Sequence, residues 1–215
     1  MTIPTPRRLA LRNSVLALAL AIGLGAHAVA AESDGQPGAV VSGLDQSLLD
    51  VMQHAKELGY DGRYAKLQPV VLQSFDVPYM TRIAVGSGWA SLSADQQAQL
   101  VDAFGKFITA TYARRFDGYS GEKFESLGEK PIGQGTLVQT RLVKSDGEPI
   151  AINYVAHQDN GHWQVVDVYL TGSISELAQR RSEFSAVFAR NGFDGLLASL
   201  QQKVAQAGNE ARMSS

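Results

Sequence analysis

Between residues 123 and 170 the apolar positions recur every second residue, whereas on either side they recur every third or fourth. Strands send alternate side chains to opposite faces, and helices bring positions three and four apart together. The change of period therefore restricts the chain to one order of elements. Thr136, Val138, Thr140 and Leu142 alternate with Leu137, Gln139 and Arg141, and Ile150, Ile152 and Tyr154 resume the pattern after Asp146-Gly147. Asp159-Asn160-Gly161 then turns the chain into Trp163–Leu170. Alternating runs joined by D-G and N-G turns predict an antiparallel meander of about four strands, the first around Lys123–Leu127.

Helical spacing flanks this meander. Leu44, Leu48, Met52 and Ala55 predict a helix that stops near Gly59, followed by a second over Arg63–Phe75. Pro78 opens a third towards Val85, because proline is tolerated in the first turn. Ser93 and Gln96 form a capping-box pattern for a fourth, striped by Val101, Phe104, Ile108 and Tyr112 as far as Phe116. After the meander, Ile174, Leu177, Phe184, Val187 and Phe188 predict a helix ending at Asn191-Gly192, and Phe193, Leu196, Leu197 and Leu200 predict another. The fold class is α+β, an antiparallel sheet covered on one face by N- and C-terminal helices.

The ends of the chain read differently. Arg7, Arg8 and Arg12, the apolar run Val15–Leu24 and Ala28-Val29-Ala30 predict a cleaved signal peptide over residues 1–30. The run is shorter than the roughly twenty residues a spanning helix needs, so the expectation is an exported, soluble protein of the periplasm. Residues 31–42, rich in small and polar residues, read as a flexible arm, 43–207 as one domain and 208–215 as a loose tail. Loss of the leader takes the formal charge from −2 to about −5. An acidic chain without a basic tract is a poor partner for nucleic acid or anionic lipid surfaces. With no cysteine, thiol catalysis, thiolate metal sites and iron–sulfur clusters are excluded.

Candidate chemistry is sparse. His157 and His162 flank a turn that contains Asp159, short of the convergent ligand set a zinc site requires, and no metal is expected. Gly172-Ser173-Ile174-Ser175 departs from a nucleophile elbow at Glu176, and no histidine follows it. Ser173 and Glu176 instead predict a helix-capping box. Asp167, among valines, is read as a structural acid bonding a nearby loop or Arg141; the alternative is the base of an isomerase- or dehydratase-like cavity enzyme. The aromatic residues suit either a filled core or a lined cavity, which periodicity does not separate.

Two long segments, Phe75–Gly121 and Gly161–Leu200, resemble the MlaC, or toluene-tolerance, family of periplasmic lipid-binding proteins. The resemblance rests on the order F-D-x-x-x-M, G-x-x-W, F, Y-A, then W-x-V-x-D-V, G-S-x-S, R-x-x-F, G-F, L. DVPYMTRIAVG, ATYARRFDGYSGE and VDVYLTGSISELAQRRSEFSAV are most similar to the hopanoid-associated HpnM branch, and Thr171 replaces an acid common in MlaC-like chains. The resemblance implies a carrier without catalytic residues or cofactor, monomeric, that encloses a hopanoid or phospholipid in an apolar cavity. It also implies docking to an inner-membrane transporter and an outer-membrane acceptor. From facing and size, the expected lipid-contacting residues are Tyr79, Met80, Trp89, Phe104, Ile108, Tyr112, Ile152, Tyr154, Val166, Val168, Leu177 and Phe188. A third reading is an adaptor of a membrane transport complex, with a filled core and an exposed apolar patch.

Overall fold

A computed structural model of the chain describes residues 36–171 and 173–213. The expected signal peptide, residues 31–35 of the arm, the joint glycine Gly172 and the last two residues lie outside the described residues. The chain runs through α1 (Pro37–Gln53), α2 (Ala55–Ser74), α3 (Val77–Val85), a short 3-10 helix (Gly86–Ser91) and α4 (Ala94–Arg115). The meander follows as β1 (Lys123–Ile132), β2 (Gly135–Val143), β3 (Pro149–Asp159) and β4 (His162–Leu170), then β5 (Ile174–Ser175) and α5 (Glu176–Met213).

All neighbouring strands pair antiparallel in the order β1-β2-β3-β4-β5. Four long strands match the alternating pattern, and the fifth is a two-residue addition on β4. Val138, Thr140, Leu142, Ile152, Tyr154 and Ala156 form the buried face beneath the helices. On β4 the alternation fails at one point. Val155 pairs with Asp167 and Ala156 with Val165, which leaves Val166 as the extra residue of a β-bulge. Val165 therefore joins Val168 in the core, the reverse of a strict alternation counted from Val166. The corner between α2 and α3 closes on the same place, where the Asp76 N–H donates to the Val165 carbonyl at 3.0 Å.

Local signals explain the helix ends. Ser93 and Gln96 make the predicted reciprocal capping box at α4, and Pro78 lies in the first turn of α3. The expected box from Ser173 and Glu176 is absent because pairing of Ile174–Ser175 with Tyr169–Leu170 delays the helix. Ser175 caps it instead, its Oγ accepting from the Ala178 N–H at 2.9 Å. The arm is shorter than the composition suggests. Pro37 starts α1, and Val41 buries with Leu44 and Leu48, so Pro37–Ser42 belong to the helix. At the other end, α5 continues into the expected tail as far as Met213. Gly208 sits against the Tyr60 ring, Ala211 is buried, and Arg212 stacks over Tyr60 and pairs with Asp61.

Two glycines bend the long helices. Gly59 (φ 57°, ψ −174°) and Gly192 (φ 63°, ψ −159°) occupy a region essentially confined to glycine. Gly192 is the expected stop at Asn191-Gly192, realised as a kink within α5. Nothing crowds its position, so Gly192→Ala isolates backbone strain. It is expected to cost about 1–3 kcal/mol, measured as a lower urea midpoint with an unchanged m-value.

Candidate functional site: an apolar cavity with a charged rim

The inward stripe of α4 meets the buried face of β2–β4 across a space that the side chains do not fill. A cavity of about 250 Å³ remains, partly open to solvent. Its floor is Leu142, Ile150, Ile152, Tyr154, Val168 and Leu170 from the sheet, and its roof is Phe104, Phe107, Ile108, Thr111 and Tyr112 from α4. Phe75 and Met80 close one side, and Leu177 from α5 closes another. Aromatic contacts hold the roof: Phe184 packs edge-on against Phe104 and Phe107, with ring centroids 6.0 and 5.6 Å away. Phe75 meets Tyr112 edge-on at 5.7 Å.

Of the twelve residues expected at the lipid, Met80, Phe104, Ile108, Tyr112, Ile152, Tyr154, Val168 and Leu177 line this cavity. The other four do not. Tyr79 and Trp89 border a separate outer groove with Asp76, Arg82 and His157. In that groove His157 Nε2 lies 2.8 Å from Asp76 Oδ2, and Asp76 also caps α3 through the Tyr79 N–H. Phe188 is displaced because its ring fills the space where a side chain on Gly88 would be. Val166 is the bulge residue. Phe75, Phe107, Phe116, Leu142, Ile150 and Leu170 complete the apolar lining.

Three lining residues are charged: Arg115, Glu176 and Arg180. They mark the cavity's rim, where Arg115 is 39% exposed while Phe104 and Tyr154 at the far side are 1% and 0%. Sequence reasoning passed them over, although the α4 stripe Phe104, Ile108, Thr111 and Arg115 keeps helical spacing to its polar end. Arg180 donates to Glu176 at 3.2 Å and to Glu183 at 2.9 Å, and its guanidinium lies 5.3 Å from the Phe107 ring centre. Burial works to raise the Glu183 carboxyl, but bonding and charge from Lys203 and Arg180 outweigh it and hold the group below the usual carboxylate range.

Tyr154 links the cavity floor to α1. Its phenol donates to Asp45 Oδ1 at 2.9 Å, and Asp45 is 7% exposed. Burial raises the Asp45 carboxyl from 3.8 to about 7, against the opposing effect of the Tyr154 bond. The same burial pushes the Tyr154 and Tyr112 phenols up. Asp45 also borders a second groove, between α1 and β1–β2, with Phe124, Val138 and Thr140.

Asp167, the candidate base, lies outside the cavity lining and has both oxygens engaged. Oδ1 accepts from the N–H groups of Val168 (2.7 Å) and Leu177 (3.0 Å), and Oδ2 accepts from the Ser175 hydroxyl at 2.6 Å. Arg141, its suggested partner, pairs with Glu125. Among the described residues, no group of three or more His, Cys, Asp or Glu side chains is placed to hold a metal ion.

The family model for MlaC protein matches residues 43–202. The chain belongs to the MlaC family. The intermembrane phospholipid transport system binding protein MlaC of Haemophilus influenzae is 24% identical over 169 residues, covering 75% of this chain and 78% of that protein. The phospholipid-binding protein of Ralstonia solanacearum, solved in complex with a phospholipid, superposes with a TM-score of 0.68 at 23% identity. That match covers 80% of this chain and 98% of the Ralstonia chain and establishes the common fold.

Proposed function

We propose that this MlaC-family chain is a periplasmic carrier that holds a lipid, phospholipid or hopanoid, in the cavity between sheet and helices and moves it between membranes. The observation that carries the reading is a partly open apolar cavity whose charged residues gather at one rim. An amphiphile needs that distribution. Moving an acyl chain into water costs about 0.8 kcal/mol per methylene, so sixteen carbons cost roughly 13 kcal/mol, and a carrier must keep most of that surface dry. The names of the Haemophilus and Ralstonia proteins favour phospholipid, and the similarity of Val166–Val187 to the HpnM branch favours hopanoid. Docking to an inner-membrane transporter and an outer-membrane acceptor, export by residues 1–30 and action as a monomer belong to the same proposal. The unfilled cavity counts against an adaptor with a solid core, and the occupied oxygens of Asp167 count against a cavity enzyme.

The test is the lipid extracted from purified protein and identified by mass spectrometry. Ile152→Trp, on the cavity floor, is expected to reduce copurified lipid about tenfold, equivalent to ~1.4 kcal/mol of affinity, with the far-ultraviolet dichroism preserved. Wild-type protein that is repeatedly empty and takes nothing from liposomes would overturn the carrier.

A further inference from the structure

The cavity's rim is cationic in a way that an apolar ligand alone does not require. Four basic side chains, Arg114, Arg115, Arg180 and Lys203, line the rim and the groove that continues from it, with Thr111 and Phe107 shared by cavity and groove. Three acids face them: Glu210 opposite Arg114, Glu183 opposite Lys203 and Arg180, and Glu176 between Arg115 and Arg180. Four cations against three acids leave one positive charge. Arg115 is where it lies. Its nearest acid oxygen, on Glu176, is 3.7 Å away, beyond hydrogen-bond distance, and Glu176 already accepts from Arg180 at 3.2 Å. Arg180, by contrast, is fixed: Glu183 holds one side of its guanidinium and the Phe107 ring lies beneath it.

We infer that Arg115 and Arg180 receive the phosphodiester of a phospholipid whose acyl chains occupy the cavity. A phosphodiester carries one negative charge, which matches the unbalanced charge of the rim. A guanidinium offers planar, paired N–H donors suited to phosphate oxygens. One arginine pre-set by Glu183 and Phe107 and a second with donors to spare form a clamp with little ordering left to do on binding. The sequence order supports the placement, since Arg115 follows Thr111 and Tyr112 on the cavity stripe of α4 and Arg180 follows Leu177 on α5. Tails in the cavity thus place the phosphate at both arginines. A neutral lipid of equal apolar size fills the cavity but gains nothing from the clamp. The rim therefore selects phosphate-bearing lipid, and this inference rests on the carrier reading above.

The experiment offers the protein vesicles of dioleoylphosphatidylcholine and dioleoylglycerol, which share their acyl chains and differ in the phosphocholine headgroup that carries the phosphodiester. Bound lipid is quantified by mass spectrometry after the protein is recovered. For the wild type, phospholipid is expected to exceed diacylglycerol relative to vesicle content. In the R115Q/R180Q protein the bound ratio of phospholipid to diacylglycerol is expected to fall about tenfold. Where the double variant does not fold, Arg115→Gln alone gives the readout, because that side chain is half-exposed and, among the described residues, held only by a long ion pair to Glu176 at 3.7 Å. Arg115→Lys, which keeps the charge but not the paired donors, is expected to fall between. An unchanged ratio in a folded variant overturns the inference and leaves the carrier intact. Failure of the wild type to load either lipid overturns both. Glycerophosphate, which has the phosphate without tails, is expected not to bind by calorimetry at millimolar concentration. Tight binding of glycerophosphate would assign the arginines to a soluble anion and overturn the inference.

Discussion

Asp167→Ala is expected to lower the thermal midpoint by about 10 °C without altering which lipid the folded protein holds. The carboxylate ties together three adjoining segments: its own strand through the Val168 N–H, the first turn of α5 through the Leu177 N–H, and β5 through the Ser175 hydroxyl. Loss of a helix cap alone costs about 0.5–2 kcal/mol, and hydrogen bonds to a charged acceptor about 1.5–3 kcal/mol each. Partial rescue by water brings the sum to about 3 kcal/mol, and each kcal/mol moves the midpoint of a domain this size by about 2–4 °C. Asp167→Asn separates structure from catalysis. The amide keeps an oxygen for the two N–H groups but opposes the Ser175 hydroxyl with a donor, so it is expected to lose about 1 kcal/mol, less than half the alanine effect. Lipid loading of folded Asp167→Asn is expected to match wild type; its loss would return Asp167 to the binding site.

The series also shows what was legible beforehand. An acid among valines on the last strand is visible in the sequence, and a structural role bonding a neighbouring segment follows from the cost of an unpaired carboxylate. The partner was not legible: Arg141 lies on β2 opposite Glu125 in register, a pairing fixed by the hairpin and not by composition. Long alternating runs and D-G turns determined the sheet order, and the Ser93 box fixed the start of α4. Single-residue events escaped. The Val166 bulge moved Val165 inward and Val166 out of the cavity, and the close approach of Phe188 to Gly88 carried that ring to the 3-10 helix. Both depend on contacts between segments distant in sequence. The charged rim was overlooked for a different reason, since a search for apolar lining stops at the residue where the stripe turns polar, and at Arg115 and Arg180 the polar end belongs to the site.

Asp45→Asn is expected to make the protein more stable than wild type at pH 8 and to remove most of the advantage at pH 4. Asp45 was absent from every sequence-based list because one acid in an otherwise ordinary helical turn gives no sign of depth; the structure buries it between α1 and the sheet, bonded to Tyr154. Its carboxyl titrates near 7 in the folded protein, raised by burial from 3.8. A raised acid means that the folded state holds a proton the unfolded chain releases, so the contribution of this group to stability is fully present below pH 3.8 and is lost as the pH rises through about 7. Three pH units of displacement correspond to an upper bound of about 4 kcal/mol, and water admitted from the groove beside α1 reduces it to a few kcal/mol. Asp50 and Glu183 titrate in the opposite sense, each held below its ordinary value. Asp50 owes this first to the Lys66 hydrogen bond, and Glu183 to Lys203 and Arg180 prevailing over burial. These groups act equally in wild type and variant, so the difference between the two urea midpoints across pH 4–8 isolates Asp45. The asparagine oxygen still accepts from the Tyr154 phenol, whereas Tyr154→Phe removes the bond that restrains the shift and is expected to steepen the loss between pH 5 and 8. A pH-independent difference between Asp45→Asn and wild type would mean that the carboxyl is solvated in the folded protein and that the floor of the cavity opens to water through α1.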